Sequence, residues 1–277
     1  MAESLAVGGP TVRELLTQAT SLLAGSEVDT PRLDAELLLG EVLSLAREQL
    51  VVQHSEVVDP AAVAQFEALL RRRADREPVA YILGRKAFRW IELAVDHRVL
   101  IPRPETELLV EVGLGVAPAG CVVDVGTGSG AVALALKQER PDLRVVATDA
   151  SPDALAVARG NADRLGLEVE FVQADLLDGV SGVFDAVLAN LPYVPEQVPL
   201  QPEIARFEPS GALFAGPDGL DVIRRLVPML EAVPLVALEF GFGQEVGIAV
   251  LMSEAGFGTV ERLRDLAGHE RVLVARR

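Results

Sequence analysis

From Cys121 onward the chain alternates short apolar runs with stretches of helical periodicity, and this alternation narrows the folds open to it. CVVDVG, RVVATDA, VEFVQAD, FDAVLAN and PLVALEFG read as strands, and SGAVALALKQE, PDALAVARGNADRLG and GQEVGIAVLMSEAGF as helices. Strands separated by helices predict an α/β fold with an open, mostly parallel sheet covered by helices on both faces. Two last strand-like runs, TVERLRDL and ERVLVARR, are joined by a short turn at Gly268 and suit antiparallel pairing.

The preceding part of the chain has a different character. Between residues 11 and 77 it carries only helical patterns. In TVRELLTQATSLLAG, Val12, Leu15, Leu16 and Ala19 share one face, with Thr11 as N-cap and Gly25 as stop. Pro31 and Asp59-Pro60 mark two further helix starts. Ala80 to Pro102 alternates and is rich in β-branched and aromatic residues, which predicts a hairpin, and a helix restarts at Pro104. The expected organisation is a helical domain over 1–79, a β-hairpin linker over 80–102 and an α/β domain over 103–277.

Of the 277 residues half are hydrophobic and 24% charged, enough for a substantial core, and the formal net charge is −16. Such an acidic chain disfavours broad binding to nucleic-acid backbones. The one dense basic run, Arg71-Arg72-Arg73 with Arg76, reads as a solvated helix face or a contact for a protein partner. Cys121 is the only cysteine, and His54, His97 and His269 are far apart, so no metal spacing is seen. The N-terminus carries no leader pattern and no run is long enough to span a bilayer. A cytoplasmic monomer is the expectation.

The strongest motif is VVDVGTGSGAVALAL. A buried strand reaches Asp124, and Gly126, Gly128 and Gly130 follow before a helix. Glycines allow a sharp turn and close approach of backbone to ligand. The spacing is GxGxG rather than the dinucleotide GxGxxG, and an acid directly before it would repel a pyrophosphate. Asp124 suits a ligand carrying an ammonium and a sulfonium, a pattern resembling the S-adenosylmethionine site of seven-stranded methyltransferases. Asp149, closing the next strand, is placed to accept from two ribose hydroxyls. Asp175, closing the third, suits an adenine amine.

The fourth strand ends at Asn190, within ANLPYVPE. An asparagine side chain presents an acceptor and a donor in one plane, matching a planar group that bears an NH2. The following backbone carbonyl can accept a second hydrogen, Pro192 stiffens the turn, and Tyr193 can cover a planar group. An amide nitrogen is a weak nucleophile, so it needs alignment with a sulfonium methyl more than it needs a base.

Taken together, residues 77–110, DVGTGSGAVALAL, ATDAS, EPSGALFAGPDGL, LEFGFGQ and RDLAGHERVLVAR resemble the peptide-chain release factor glutamine methyltransferases, the HemK/PrmC family. The resemblance covers nearly the whole chain, and IPRPETE is specific to the family. It implies a Rossmann-like, seven-stranded class I methyltransferase domain that uses S-adenosyl-L-methionine. The implied reaction is N5 methylation of the glutamine in the GGQ tripeptide of class 1 release factors, with the helical domain helping to bind the factor. By position it assigns the cofactor to Asp124, Gly126, Thr127, Gly128, Ser129, Gly130, Asp149, Asp175, Leu176 and Asn190. The substrate glutamine falls to Asn190, Leu191, Pro192 and Tyr193, with Asn190, Pro192 and Tyr193 carrying the chemistry. Leu191 departs from the family, which usually has proline there.

Asn-Leu-Pro-Tyr also occurs in rRNA adenine N6-dimethyltransferases, so adenine methylation on RNA or DNA is a rival reading. The acidic charge and the helical domain placed first weigh against it. A nicotinamide oxidoreductase conflicts with GxGxG and Asp124, and a non-catalytic binding module with the retained acids, glycines and Asn190.

Overall fold

The computed structural model describes residues 9–277. The first eight residues, on which part of the leader reading and the start of the 1–79 domain fall, lie outside the described residues. The chain divides into two compact units. One holds the residues up to Gly84 together with Gln201–Phe207; the other holds Arg85–Leu200 and Glu208–Arg277.

The first unit is helical: α1 Val12–Gly25, α2 Pro31–Leu43, α3 Arg47–Val52, α4 Pro60–Ala74 and α5 Val79–Leu83. A capping box opens α1: the Glu14 amide donates to Thr11 Oγ1, and the Thr11 amide donates to Glu14 Oε2. The expected apolar face packs inward, with Leu15, Leu16, Ala19, Leu38, Leu39 and Phe66 in one cluster. Arg73 is buried; its Nε donates to Asp34 at 2.6 Å and its Nη2 to Glu203 at 2.9 Å. Arg76 reaches the second oxygen of Glu203 at 2.6 Å, and Arg72 pairs with Glu77. The reading of the basic run as a solvated face holds for the exposed Arg71 and Arg72 and is corrected for Arg73 and Arg76, which enter internal ion pairs. Their acids come from positions 34 and 203, too distant to be seen in a local reading.

The start of the expected hairpin is also corrected. Residues 80–83 belong to α5, which ends on Gly84 at φ +70°. Tyr81 and Ile82 are β-favouring residues, but both are buried in the helix, and burial overrides a weak local preference. The hairpin proper pairs β1 Arg85–Phe88 with β2 Ile91–Ala94.

The second unit is built on a seven-stranded sheet. Its strands are β3 Cys121–Val125, β4 Arg144–Asp149, β5 Glu170–Gln173, β6 Ala186–Ala189, β7 Leu235–Glu239, β8 Thr259–Arg264 and β9 Glu270–Arg276. The spatial order is β5-β4-β3-β6-β7-β9-β8. Neighbours from β5 to β7 run parallel, while β9 is antiparallel to both β7 and β8. Helices α6 Glu107–Leu114, α7 Ala131–Glu139, α8 Pro152–Leu165, α10 Asp221–Leu226 and α11 Glu245–Glu254 flank it; the intervening α9, Pro202–Phe207, belongs to the helical unit. The chain runs outward from β3 to β5, then returns to place β6 on the other side of β3. Ligands of open α/β sheets bind at the carboxyl ends of the strands beside such a reversal.

Candidate active site

The turn after β3 needs its glycines. Gly126, Gly128 and Gly130 sit at φ +73°, +56° and +85°, a region that residues bearing a Cβ rarely adopt. The amides of Gly126 and Thr127 both donate to the Thr148 carbonyl at 2.9 Å, tying the loop to β4. The Gly128 amide donates to Asp149 Oδ2 at 2.9 Å, and the buried Asn161 of α8 donates from Nδ2 to the Ser129 carbonyl at 3.0 Å. Asn161 also exchanges two hydrogen bonds with the backbone of Ala94, so one amide holds both the loop and the hairpin.

Asp124 is 2% exposed. Its Oδ2 accepts from Thr127 Oγ1 at 2.6 Å and from the Ala133 amide at 3.2 Å. Among the described residues no donor reaches Oδ1. Burial pushes its carboxyl up to about 7. Asp149 accepts from the Gly128 amide on one oxygen and from the Ser151 amide on the other, and burial raises its pKa as well. Each of its oxygens keeps a lone pair for a further donor.

These groups line a cleft of about 570 Å³. It brings together the loop from Gly126 to Ser129 with Asp124, Asp149, Asp175, Leu176, Asn190, Leu191 and Pro192. Gly130 and Tyr193 are not among its lining residues. Asp175 has its carboxylate engaged by Arg225, both side chains being more than half exposed. Leu176 holds φ +58°, and its carbonyl accepts from the buried Thr148 hydroxyl at 3.0 Å. The cleft fits S-adenosylmethionine. Its volume suits a nucleoside-sized ligand, and a buried carboxylate with one uncommitted oxygen is stabilised by a cation. Asp124 would take the cationic methionine portion and Asp149 the ribose hydroxyls.

Asn190 directly follows β6, and the Ala189–Leu238 register puts it level with Glu239, the last residue of β7. Its Nδ2 donates to Thr106 Oγ1 at 3.0 Å, and that hydroxyl donates to Glu239 Oε2 at 2.7 Å. The other oxygen of Glu239 accepts from the Tyr193 hydroxyl at 3.3 Å. Glu239 and Thr106 are both buried, and burial pushes the Glu239 carboxyl up to about 7. Burial first, and then the Glu239 charge, raise the pKa of the Tyr193 phenol. Gln244 pins the same segment, its Nε2 donating to the carbonyls of Tyr193 and Asp218 at 2.8 and 2.9 Å. Leu191 is 4% exposed, so its side chain is a core residue.

Thr106, Glu239, Asn161 and Gln244 are the members that sequence reading did not assign. A signal existed for Glu239: like Asp124 and Asp149, it is an acid at the end of a buried strand. Thr106 gave none, since its partner is 133 positions away.

A sheet of this order, parallel from β5 to β7, with an acid-led glycine loop after one strand and an acid closing the next, defines a class I, Rossmann-like methyltransferase that uses S-adenosyl-L-methionine. A Pyrococcus furiosus methyltransferase shares the fold, with a TM-score of 0.51 and 18% identity over 66% of this chain and 88% of that one. Residues 14–84 match the PrmC N-terminal domain, and residues 104–206 the methyltransferase small domain. The release factor glutamine methyltransferase of Rhodospirillum rubrum is 41% identical, covering 98% of this chain and 89% of that protein. That of Deinococcus radiodurans is 42% identical, covering 96% and 98%. The chain belongs to the release factor glutamine methyltransferase family. No helix among the described residues is long and apolar enough to cross a membrane.

Proposed function

We propose that this enzyme transfers a methyl group from S-adenosyl-L-methionine to the side-chain N5 of the glutamine in the GGQ motif of class 1 peptide chain release factors. The observation that carries the reading is Asn190. It lines the cleft, one strand away from Asp124, with its Nδ2 committed to Thr106 and its Oδ1 left for a substrate hydrogen.

Asn190 Oδ1 and the Leu191 carbonyl accept the two amide hydrogens and hold the nitrogen lone pair towards the methyl donor. Both acceptors also favour the positive charge that develops on nitrogen as the N–C bond forms and the S–C bond breaks. The proton then leaves to water. The bound cofactor supplies an electrophilic methyl on a sulfonium. Pro192 and Tyr193 stiffen the segment, Tyr193 through its bond to Glu239. Leu191 serves in place of proline because the substrate meets its backbone carbonyl, while its side chain is buried.

The helical unit contributes to holding the release factor, and the enzyme works as a cytoplasmic monomer without direct nucleic-acid contacts, as the −16 charge favours.

Incubation with labelled S-adenosylmethionine and either a release factor or rRNA tests this. Label should enter the release factor and disappear when the GGQ glutamine is replaced by alanine. Label in rRNA alone would make the enzyme an adenine methyltransferase.

A further inference from the structure

Asn190 can present either end of its amide to the cleft, and only the carbonyl end accepts from an NH2 group. What fixes the choice is the order of donors behind it. Glu239, when ionised, only accepts hydrogen bonds, and its two oxygens take the hydroxyls of Thr106 and Tyr193. A threonine hydroxyl has one hydrogen. With that hydrogen given to Glu239, Thr106 Oγ1 faces Asn190 as an acceptor, and only the Nδ2 end of the amide can satisfy it. Thr106 and Glu239 are buried and Asn190 is part-buried, so a mismatched pair would leave a Thr106 or Glu239 group without its hydrogen bond away from water.

We infer that Glu239 and Thr106 are positioning residues that lock the Asn190 amide with its oxygen towards the substrate, making the site select a carboxamide over a carboxylate side chain. This rests on the proposed role of Asn190. With the amide reversed, the cleft would offer an NH2 donor, which suits a glutamate oxygen and repels the NH2 of glutamine. Glu239 thus acts on selectivity without touching substrate, through two hydrogen bonds of fixed direction. Replacement by glutamine keeps one acceptor and makes the other a donor, so Thr106 no longer meets an acceptor in both orientations; with the NH2 set against it, the Thr106 hydrogen turns towards Asn190.

The test compares wild type with Thr106→Val, Thr106→Ser, Glu239→Gln and Asn190→Ala. Three quantities are read: the rate of methyl transfer to a release factor, cofactor affinity by calorimetry, and relative binding of the factor and its variant with glutamate at the GGQ glutamine. Thr106→Val should lower kcat by about tenfold or more with cofactor Kd changed less than about twofold, and Thr106→Ser should recover most of the rate. Glu239→Gln should narrow the preference for glutamine over glutamate by about tenfold, a change that mere loosening of the loop would not produce. If Thr106→Val fails to fold, the Glu239→Gln preference decides. Wild-type rates and preference in Thr106→Val and Glu239→Gln, beside an inactive Asn190→Ala, would overturn the inference and leave the proposed function standing. An active Asn190→Ala would instead remove the reading of Asn190 beneath it.

Discussion

The Leu191 side chain packs on Gly126: a Cβ placed at Gly126 would lie 3.1 Å from Leu191 Cδ2. The two residues belong to different loops, one expected to hold the cofactor and the other the substrate. Gly126→Ala meets both this contact and a φ of +73°. The variant should bind S-adenosylmethionine about tenfold more weakly and melt lower, as checked by calorimetry and thermal unfolding. Leu191→Ala, which leaves the backbone in place, should cost about 2–4 kcal/mol of stability through the cavity it opens.

Asp124 gives a pH dependence with a definite sign. Its carboxyl is pushed from 3.8 up to about 7 in the folded protein. A raised carboxyl pKa contributes stability that is present below the unfolded value and lost as pH rises through the folded one. The cofactor-free protein should therefore lose stability between about pH 4 and 7, and Asp124→Asn should flatten the curve. Cofactor affinity should move the opposite way, tightening as pH rises through about 7, because the ionised acid is the form that meets a cation. A calorimetric titration across that range checks it, and an unchanged slope in Asp124→Asn would remove Asp124 from the cationic contact.

Glu239 shares that range, its carboxyl lying at about 7 among Thr106, Tyr193, Glu105 and Arg271. If its ionised form sets the direction of the Asn190 amide, kcat should climb as pH rises through about 7, and Glu239→Gln should lose that limb. The readout is the pH profile of kcat at saturating substrate.

Asp149 accepts from two backbone amides, Gly128 and Ser151. Asp149→Asn sets an NH2 against one of those donors and removes an acceptor from the ribose side. Cofactor affinity should fall by about tenfold or more, measured by calorimetry, with the sheet intact by circular dichroism.

In the helical unit, Arg73 separates two acids that no other buried cation serves together. Arg73→Ala should lower the stability of that unit by about 3–5 kcal/mol, since the buried Asp34 would lose its cation while Glu203 keeps only Arg76. The calorimetric transition of the helical unit is the measurement.

Local pattern carried β3, β4 and β7 because each is a largely apolar run with an acid, Asp124, Asp149 or Glu239, at or next to its end, whereas β5 is the short EFVQ and stops at Gln173, two residues before Asp175. The same logic failed at α5, where Tyr81 and Ile82 are read as strand but buried as helix. It also failed at Arg73, which looks solvated until residues 34 and 203 are brought to it. The Thr106–Glu239 pair was illegible for a related reason: neither residue type is diagnostic, and only folding sets one against the other. Leu191 was legible as a departure from its family, but its burial against Gly126 was not.

The segment Gln201–Phe207 leaves the catalytic unit after ANLPYVPE, joins the helical unit through Glu203, and returns at Glu208. The helical unit is consequently not a detachable prefix. A truncation at residue 84 would strand α9 without Arg73 and Arg76, and a graft of the first 84 residues onto another methyltransferase would arrive without its carboxylate. A transfer of the helical unit that keeps its ion pairs must therefore move two stretches of chain at once.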